Sequence, residues 1–208
     1  MKTYYKFYNL SSNKKRKYCR QALITQKIYM CPYTKVSGIN DKKEGHFLLD
    51  KPLDDIFRAR LKREKKTYMI GCASNKLYNQ YMWSRFAQDG MGLCIAFTCN
   101  DSTVSINKVK YVDGLPVSVK NVFEGLSLNE QVQFALLHKR KRSRKEEYEK
   151  EEEIRFMKKV NDNQNDAFMD VNISAVYLGR NMPKEEMRCW RCIAQNYSFK
   201  VSKLRNRI

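Results

Sequence analysis

The period of apolar positions changes several times along the chain, and each change marks an element. Tyr4–Leu10 alternates aromatic with polar residues and predicts a first strand. Ser11–Lys17 reads as a polar loop or helix start that Ser11 or Ser12 can cap. Cys19–Ile28 places Ala22, Leu23 and Ile28 as a short helix would. Ile28–Cys31 is extended and closed by Pro32. Turn chemistry at Ser37–Asp41 precedes an amphipathic helix over Pro52–Lys66, with Leu53, Ile56, Phe57 and Leu61 on its apolar face. Tyr68–Cys72 predicts a strand, and Asn75–Gln88 a helix ended by Asp89-Gly90. Gly92–Thr98 is almost wholly apolar over the length of a strand, which marks it as central to a sheet.

The second half continues the alternation of elements. Val104–Val112 is extended, with Asp113-Gly114 as its turn. Leu128–Glu151 reads as one long helix, apolar-periodic at its start and charge-dense at its end. Ile154–Val160 predicts a strand, Asn161–Asp166 a loop, and Ile173–Leu178 a β-branched strand stopped by Gly179. Pro183–Ala194 is the last helix and Tyr197–Val201 a short closing strand. The pattern predicts a single α+β domain over residues 1–208, with a mixed or antiparallel central sheet flanked by helices.

Composition narrows the class. Of 208 residues, 42% are apolar and 12% aromatic, enough to bury a core, so a disordered polymer is excluded. No apolar run has the length of a membrane-crossing helix, and Met1–Lys6 is not followed by the apolar stretch of an export signal. Seven cysteines in that setting are expected to be reduced thiols of a cytoplasmic protein. The net charge of +19 is unevenly spread: residues 1–70 carry 18 Lys/Arg against 6 Asp/Glu, residues 71–179 carry 15 against 14, and residues 180–208 carry 8 against 2. If the basic ends lie together they form one positive face suited to phosphates; otherwise they are a lysine-rich surface.

Three patterns invite chemistry. Lys139–Lys145 holds six bases in seven residues and Glu146–Glu153 six acids in eight. On a helix Arg142 faces Glu146 and Lys145 faces Glu149, so a salt-bridged, solvated helix is expected there. Glu151, Glu153 and Arg155 share one face if the chain is extended, where two carboxylates and a guanidinium would hold a hydroxyl or a ribose. If the helix continues instead, Glu151 and Arg155 form an ordinary i,i+4 ion pair. Cys189-Trp190-Arg191-Cys192 has neither His46 nor His138 at metal-ligand spacing, and two core-facing thiols are expected. The chain has no P-loop and no GxGxxG, and two histidines do not make a convincing hydrolase.

Less conspicuous residues carry a resemblance. In order they are Tyr5-Lys6-Phe7, Asn40-Asp41-Lys42-Lys43-Glu44, Cys72-Ala73-Ser74, Met82-Trp83-Ser84-Arg85-Phe86 and Gly92-Leu93-Cys94. Val109-Lys110-Tyr111, Glu151-Glu152-Glu153-Ile154-Arg155 and Val176-Tyr177-Leu178-Gly179 complete the set. This layout resembles the bacterial domain-of-unknown-function 2971 family along nearly the whole chain. The family pattern runs Tyr-Lys-Tyr, Asn-Asp-Pro-Phe-Glu, Cys-Phe-Ser, Met-Trp, Gly-x-Cys, Glu-x-Glu-x-Arg and a late Leu-Gly. The chain departs from it at Lys42-Lys43 in place of Pro-Phe, at Ala73 in place of Phe, and at Tyr148 where a Trp often stands.

The order of these pieces is similar, at the level of fold, to that of mono-ADP-ribosyltransferases. That likeness implies an ADP-ribosyltransferase-like arrangement and an NAD-dependent transferase. Tyr5, Lys6, Ser74, Trp83 and Arg155 would hold NAD, and Glu153, or failing it Glu151, would stabilise the oxocarbenium-like transition state. Asn40, Asp41 and Glu44 are further site candidates, and no metal is expected. The implied role is a toxin or phage-defence effector modifying nucleic acid or protein, with the basic ends meeting nucleic acid and no membrane involved. The alternatives are a non-catalytic nucleic-acid-binding protein and a metal-dependent nuclease built on Glu44, Glu151 and Glu153.

Overall fold

The computed structural model describes residues 1–35, 55–112, 125–140, 148–161 and 167–204. Strand β1 (Tyr4–Tyr8) leads to α1 (Asn13–Thr25), which starts where the Ser12 side chain accepts from Lys15 N and stops at Gln26, in a left-handed conformation. Then follow β2 (Lys27–Pro32), α2 (Asp55–Lys66), β3 (Tyr68–Ser74), α3 (Gln80–Phe86), β4 (Leu93–Cys99), β5 (Ser105–Lys108) and β6 (Lys110–Val112). After α4 (Leu128–Leu137) come β7 (His138–Arg140), a 3-10 turn (Tyr148–Glu151), β8 (Glu153–Lys159), β9 (Ala167–Leu178), α5 (Lys184–Asn196) and β10 (Lys200–Lys203).

The expected α+β domain is present, with a mostly antiparallel sheet in the order β1-β4-β9-β2-β3-β8-β5. Its two parallel pairings are β10 with β9 and, in a separate two-stranded sheet, β6 with β7. The large sheet returns on itself, because β1 pairs β4 along its length and also meets β3 at Tyr5↔Ser74. One edge of β3 is therefore shared, with β2 at Met69–Ile70 and β1 at Ser74, while β8 occupies the other edge over all seven residues. The largest core draws side chains from all five strands of that ring, among them Tyr4, Met30, Met69, Phe97 and Met169, and from α1 and α5.

Two smaller cores lie outside it. One packs α2 and α4, through Leu61, Val132 and Leu136, on Tyr68, Ile70 and Met157. The other seats Met82 and Trp83 of α3 on Phe7 and Cys94. Two glycines permit the turns to close: a Cβ on Gly92 would lie 2.1 Å from Tyr8 O, and one on Gly179 would lie 2.0 Å from Gly90 O. That contact is sealed by Gly179 N donating to Gly92 O at 2.9 Å and Asn181 N donating to Gly90 O at 3.0 Å.

Several expectations need correction. The long helix over Leu128–Glu151 ends at Leu137. There the apolar period stops, His138 turns extended (φ −102°, ψ 127°), and Lys110 offers it a strand partner. Residues 141–147, with both expected ion pairs of the charged run, lie outside the described residues, as do Ser37–Asp41 and most of Asn161–Asp166. The final strand begins at Lys200, after Ser198 takes a positive φ of 60°. Cys189 and Cys192 are exposed rather than core-facing, because α5 turns Trp190 and Ala194 inward in their stead.

Candidate functional site

β8 carries its alternate residues into the space beneath α4. Ile154 and Phe156 point to the main core, so Glu153, Arg155 and Met157 point the other way. Arg155 is 1% exposed and donates from Nε to Glu153 Oε1 at 2.8 Å and from Nη2 to Glu153 Oε2 at 3.3 Å. Its Nη1 reaches Leu136 O at 2.5 Å, meeting the carbonyl end of α4 where the helix dipole favours a cation. Burial pushes Arg155 down to about 10, partly offset by Tyr33 and Cys31, so it stays charged at neutral pH.

Lys6 belongs to the same neighbourhood. Its Nζ donates to Cys72 O at 2.7 Å, at the position on β3 between the β2 pairing and the β1 pairing. Burial, and then the Glu153 carboxylate to which it donates, push the Cys72 thiol well above its usual range. Lys6, Cys72, Glu153 and Arg155 thus form one chain of polar contacts. Glu151, 5% exposed, precedes it in the 3-10 turn and does not lie on the strand. The extended reading of this motif holds for Glu153 and Arg155 and fails for Glu151.

The remaining predicted residues sit elsewhere. Tyr5, one residue from Lys6 and so on the opposite face of β1, lies 6.5 Å from the Tyr177 ring. Trp83 is 4% exposed, donates from Nε1 to Leu77 O at 2.8 Å, and meets Phe7 edge to face at 5.1 Å. Its ring is core. Ser74, fully buried, is paired with both Tyr5 and Glu153, and its hydroxyl accepts from Lys76 N at 3.2 Å. Asn40, Asp41 and Glu44 lie outside the described residues. Among the described residues, no three of His, Cys, Asp and Glu gather as a metal would require.

Between α3 and the 3-10 turn opens a groove of about 620 Å³, lined by Lys76, Tyr78, Asn79, Tyr81, Lys150 and Glu152 among others. Asn79 builds one wall: its Oδ1 accepts from Met82 N at 3.1 Å to cap α3, and its Nδ2 donates to Lys150 O at 2.7 Å, tying α3 to the 3-10 turn. Glu152 forms the other. It is held at φ 46°, a left-handed conformation uncommon for glutamate. That conformation turns it away from its neighbours, so Glu151 and Glu153 are buried while Glu152 reaches the groove. Its Oε1 accepts from Lys76 Nζ at 2.7 Å, whereas its buried Oε2 has no donor among the described residues. Asn75 Oδ1, one residue before Lys76, is likewise without one.

Glu152 is the residue that the motif Glu-x-Glu-x-Arg conceals, because the pattern treats its place as a spacer. The basic ends also come together. α1 packs on α5 with Arg16 Nη1 2.5 Å from Glu186 Oε1. Lys14, Lys15, Lys17 and Arg20 stand exposed on the first helix, and Lys184, Arg188 and Arg191 on the second. No helix among the described residues is long and apolar enough to cross a membrane. No protein-family model, no curated protein and no solved structure matches this chain.

Proposed function

We propose that the chain is an ADP-ribosyltransferase-like enzyme whose NAD lies in the groove between α3 and the 3-10 turn, with Glu152 as its catalytic carboxylate. The observation that carries this reading is the state of Glu152. Its carboxylate lines, beside an ammonium, a groove within the roughly 300–1,000 Å³ range of small-molecule sites, and its second oxygen, buried in this rotamer, lacks a donor among the described residues. Turned into the groove, that oxygen would accept a hydrogen bond from a ribose hydroxyl. It also stabilises the positive charge that grows on C1′ as the bond to nicotinamide breaks and its electron pair leaves with the ring. The acceptor's nucleophile then bonds to C1′ and gives up its proton.

The other acidic residues take supporting parts. Glu153 is engaged by Arg155 and Cys72, and with buried Glu151 it fixes the turn that projects Glu152. Lys76 and Lys150 offer charge for the pyrophosphate, and Tyr78, 67% exposed, offers a face for a ring. The acceptor we assign to nucleic acid, on the basic neighbourhood of α1 and α5. A second reading, binding of nucleic acid without turnover, rests on that same neighbourhood alone.

The test is nicotinamide release from labelled NAD in the presence of RNA or DNA. Glu152→Gln is expected to lower turnover by about 10²–10³ while leaving the fold intact. If native protein neither binds nor consumes NAD, the reading is wrong. If Glu153→Gln loses turnover while folding normally and Glu152→Gln does not, the catalytic role belongs to Glu153.

A further inference from the structure

We infer that Cys189 and Cys192 form a two-sulfur site for a soft monovalent cation of the Cu(I) class. These are the two cysteines on the surface; Cys19 and Cys94 are buried and Cys31, Cys72 and Cys99 half-buried. Both lie on α5, three residues apart, so their Cβ atoms are about 5–6 Å from each other on one face of the helix. A disulfide requires about 3.5–4.5 Å between Cβ atoms, which a regular helix does not supply at this spacing. Two thiolates on one ion ask for less approach, since metal–sulfur bonds of about 2.3 Å let the sulfurs stand up to roughly 4.6 Å apart.

The choice of ion follows from the number of ligands. Structural zinc takes four, and no third His, Cys, Asp or Glu among the described residues joins this pair. Thiolates alone, few in number, select a soft ion. The surroundings suit the anionic two-thiolate complex. Exposed Arg188 lies one turn before Cys192 on the same helical face (i,i+4), and Asn196 Nδ2 points to Cys192 Sγ at 4.0 Å, one turn on. Trp190, 4% exposed, lies between the two thiols in sequence and anchors the helix so that they face outward.

Anaerobic titration of the reduced full chain with Cu(I), against a chromophoric Cu(I) chelator, tests the assignment. One ion per chain is expected. Cys189→Ser and Cys192→Ser should each weaken binding by more than the roughly 10–100-fold that loss of a supporting partner costs, and Cys99→Ser should leave it unchanged. Circular dichroism confirms that these surface variants fold. Wild-type stoichiometry and affinity in either single variant overturns the site. Half an ion per chain, shared between two copies, overturns it as well, as does a Cys189–Cys192 disulfide found by mass spectrometry under air.

Discussion

Arg155 and Lys65 are two buried cations with opposite dependence on their surroundings. Arg155 has its charge answered on both sides, so the lesson of removing it is what remains: Glu153, 5% exposed, would lose the guanidinium that pairs with it. Arg155→Met is expected to cost about 3–5 kcal/mol in urea unfolding, and the double variant with Glu153→Gln to recover much of it. Lys65, 8% exposed, lies over the Tyr33 ring at 5.8 Å, and burial lowers it to about 8. The unfolded chain keeps that proton up to about pH 10.5, so between roughly pH 8 and 10.5 it binds more protons than the folded chain, and stability rises with pH. Lys65→Met should flatten this rise and shift stability at pH 7 upward by up to about 3 kcal/mol, less what the lost contacts of the ammonium, the Tyr33 ring among them, contribute. A set of unfolding curves from pH 7 to 10.5 reads both effects.

Among elements, the junction of α3 with the 3-10 turn decides the shape of the groove, and one side chain makes it. Asn79→Ala removes the cap and the tie to Lys150, whereas Asn79→Asp keeps an oxygen for the cap and loses only the donor to Lys150 O. The alanine variant should lose about 1 kcal/mol of stability. Under the proposed reading of the groove, both should raise KM for NAD, the aspartate variant with little loss of melting temperature. Much at this scale was legible in the sequence. Alternating Tyr4–Leu10, apolar Gly92–Thr98 and β-branched Ile173–Leu178 read as strands, and strands lie there at Tyr4–Tyr8, Leu93–Cys99 and Ala167–Leu178, because alternation marks a half-buried strand and an unbroken apolar run a buried one. The continuation of the helix directly past Leu137 was misread because β6 claims the backbone of His138–Arg140, and a helical period favours a helix only where no strand partner competes. In the structure a capping box of Ser127 and Glu130 starts α4, whereas its end at His138 has no such cap. Glu152 was hidden for another reason: a left-handed glutamate has no signature, as glycine or asparagine would.

At the scale of the whole molecule, the turns at Gly90–Gly92 and Gly179 lock β4 to β9. Gly179→Ala would force a carbon to within 2.0 Å of Gly90 O, backbone against backbone, and is expected to cost more than about 3 kcal/mol and to leave most of the protein insoluble. Gly125→Ala is the control: its φ of 84° is strained for alanine, yet none of the described residues has an atom within 4 Å of the added carbon, so a loss of about 1 kcal/mol is expected. The pairing of distant strands was not legible, because Tyr5↔Ser74 and Lys27↔Asp170 join segments that carry no mark of each other.

The closed ring of strands has a consequence for synthesis. β9 joins β4 to β2, and Lys27 waits for Asp170, so the ring stays open until β9 has been made. At about 5–20 residues per second on the ribosome, β2 and β4 present bare edges for on the order of ten seconds. The nascent protein therefore spends its early life as an unfinished sheet, and its yield in a cell depends on whatever shields those edges until β9 emerges.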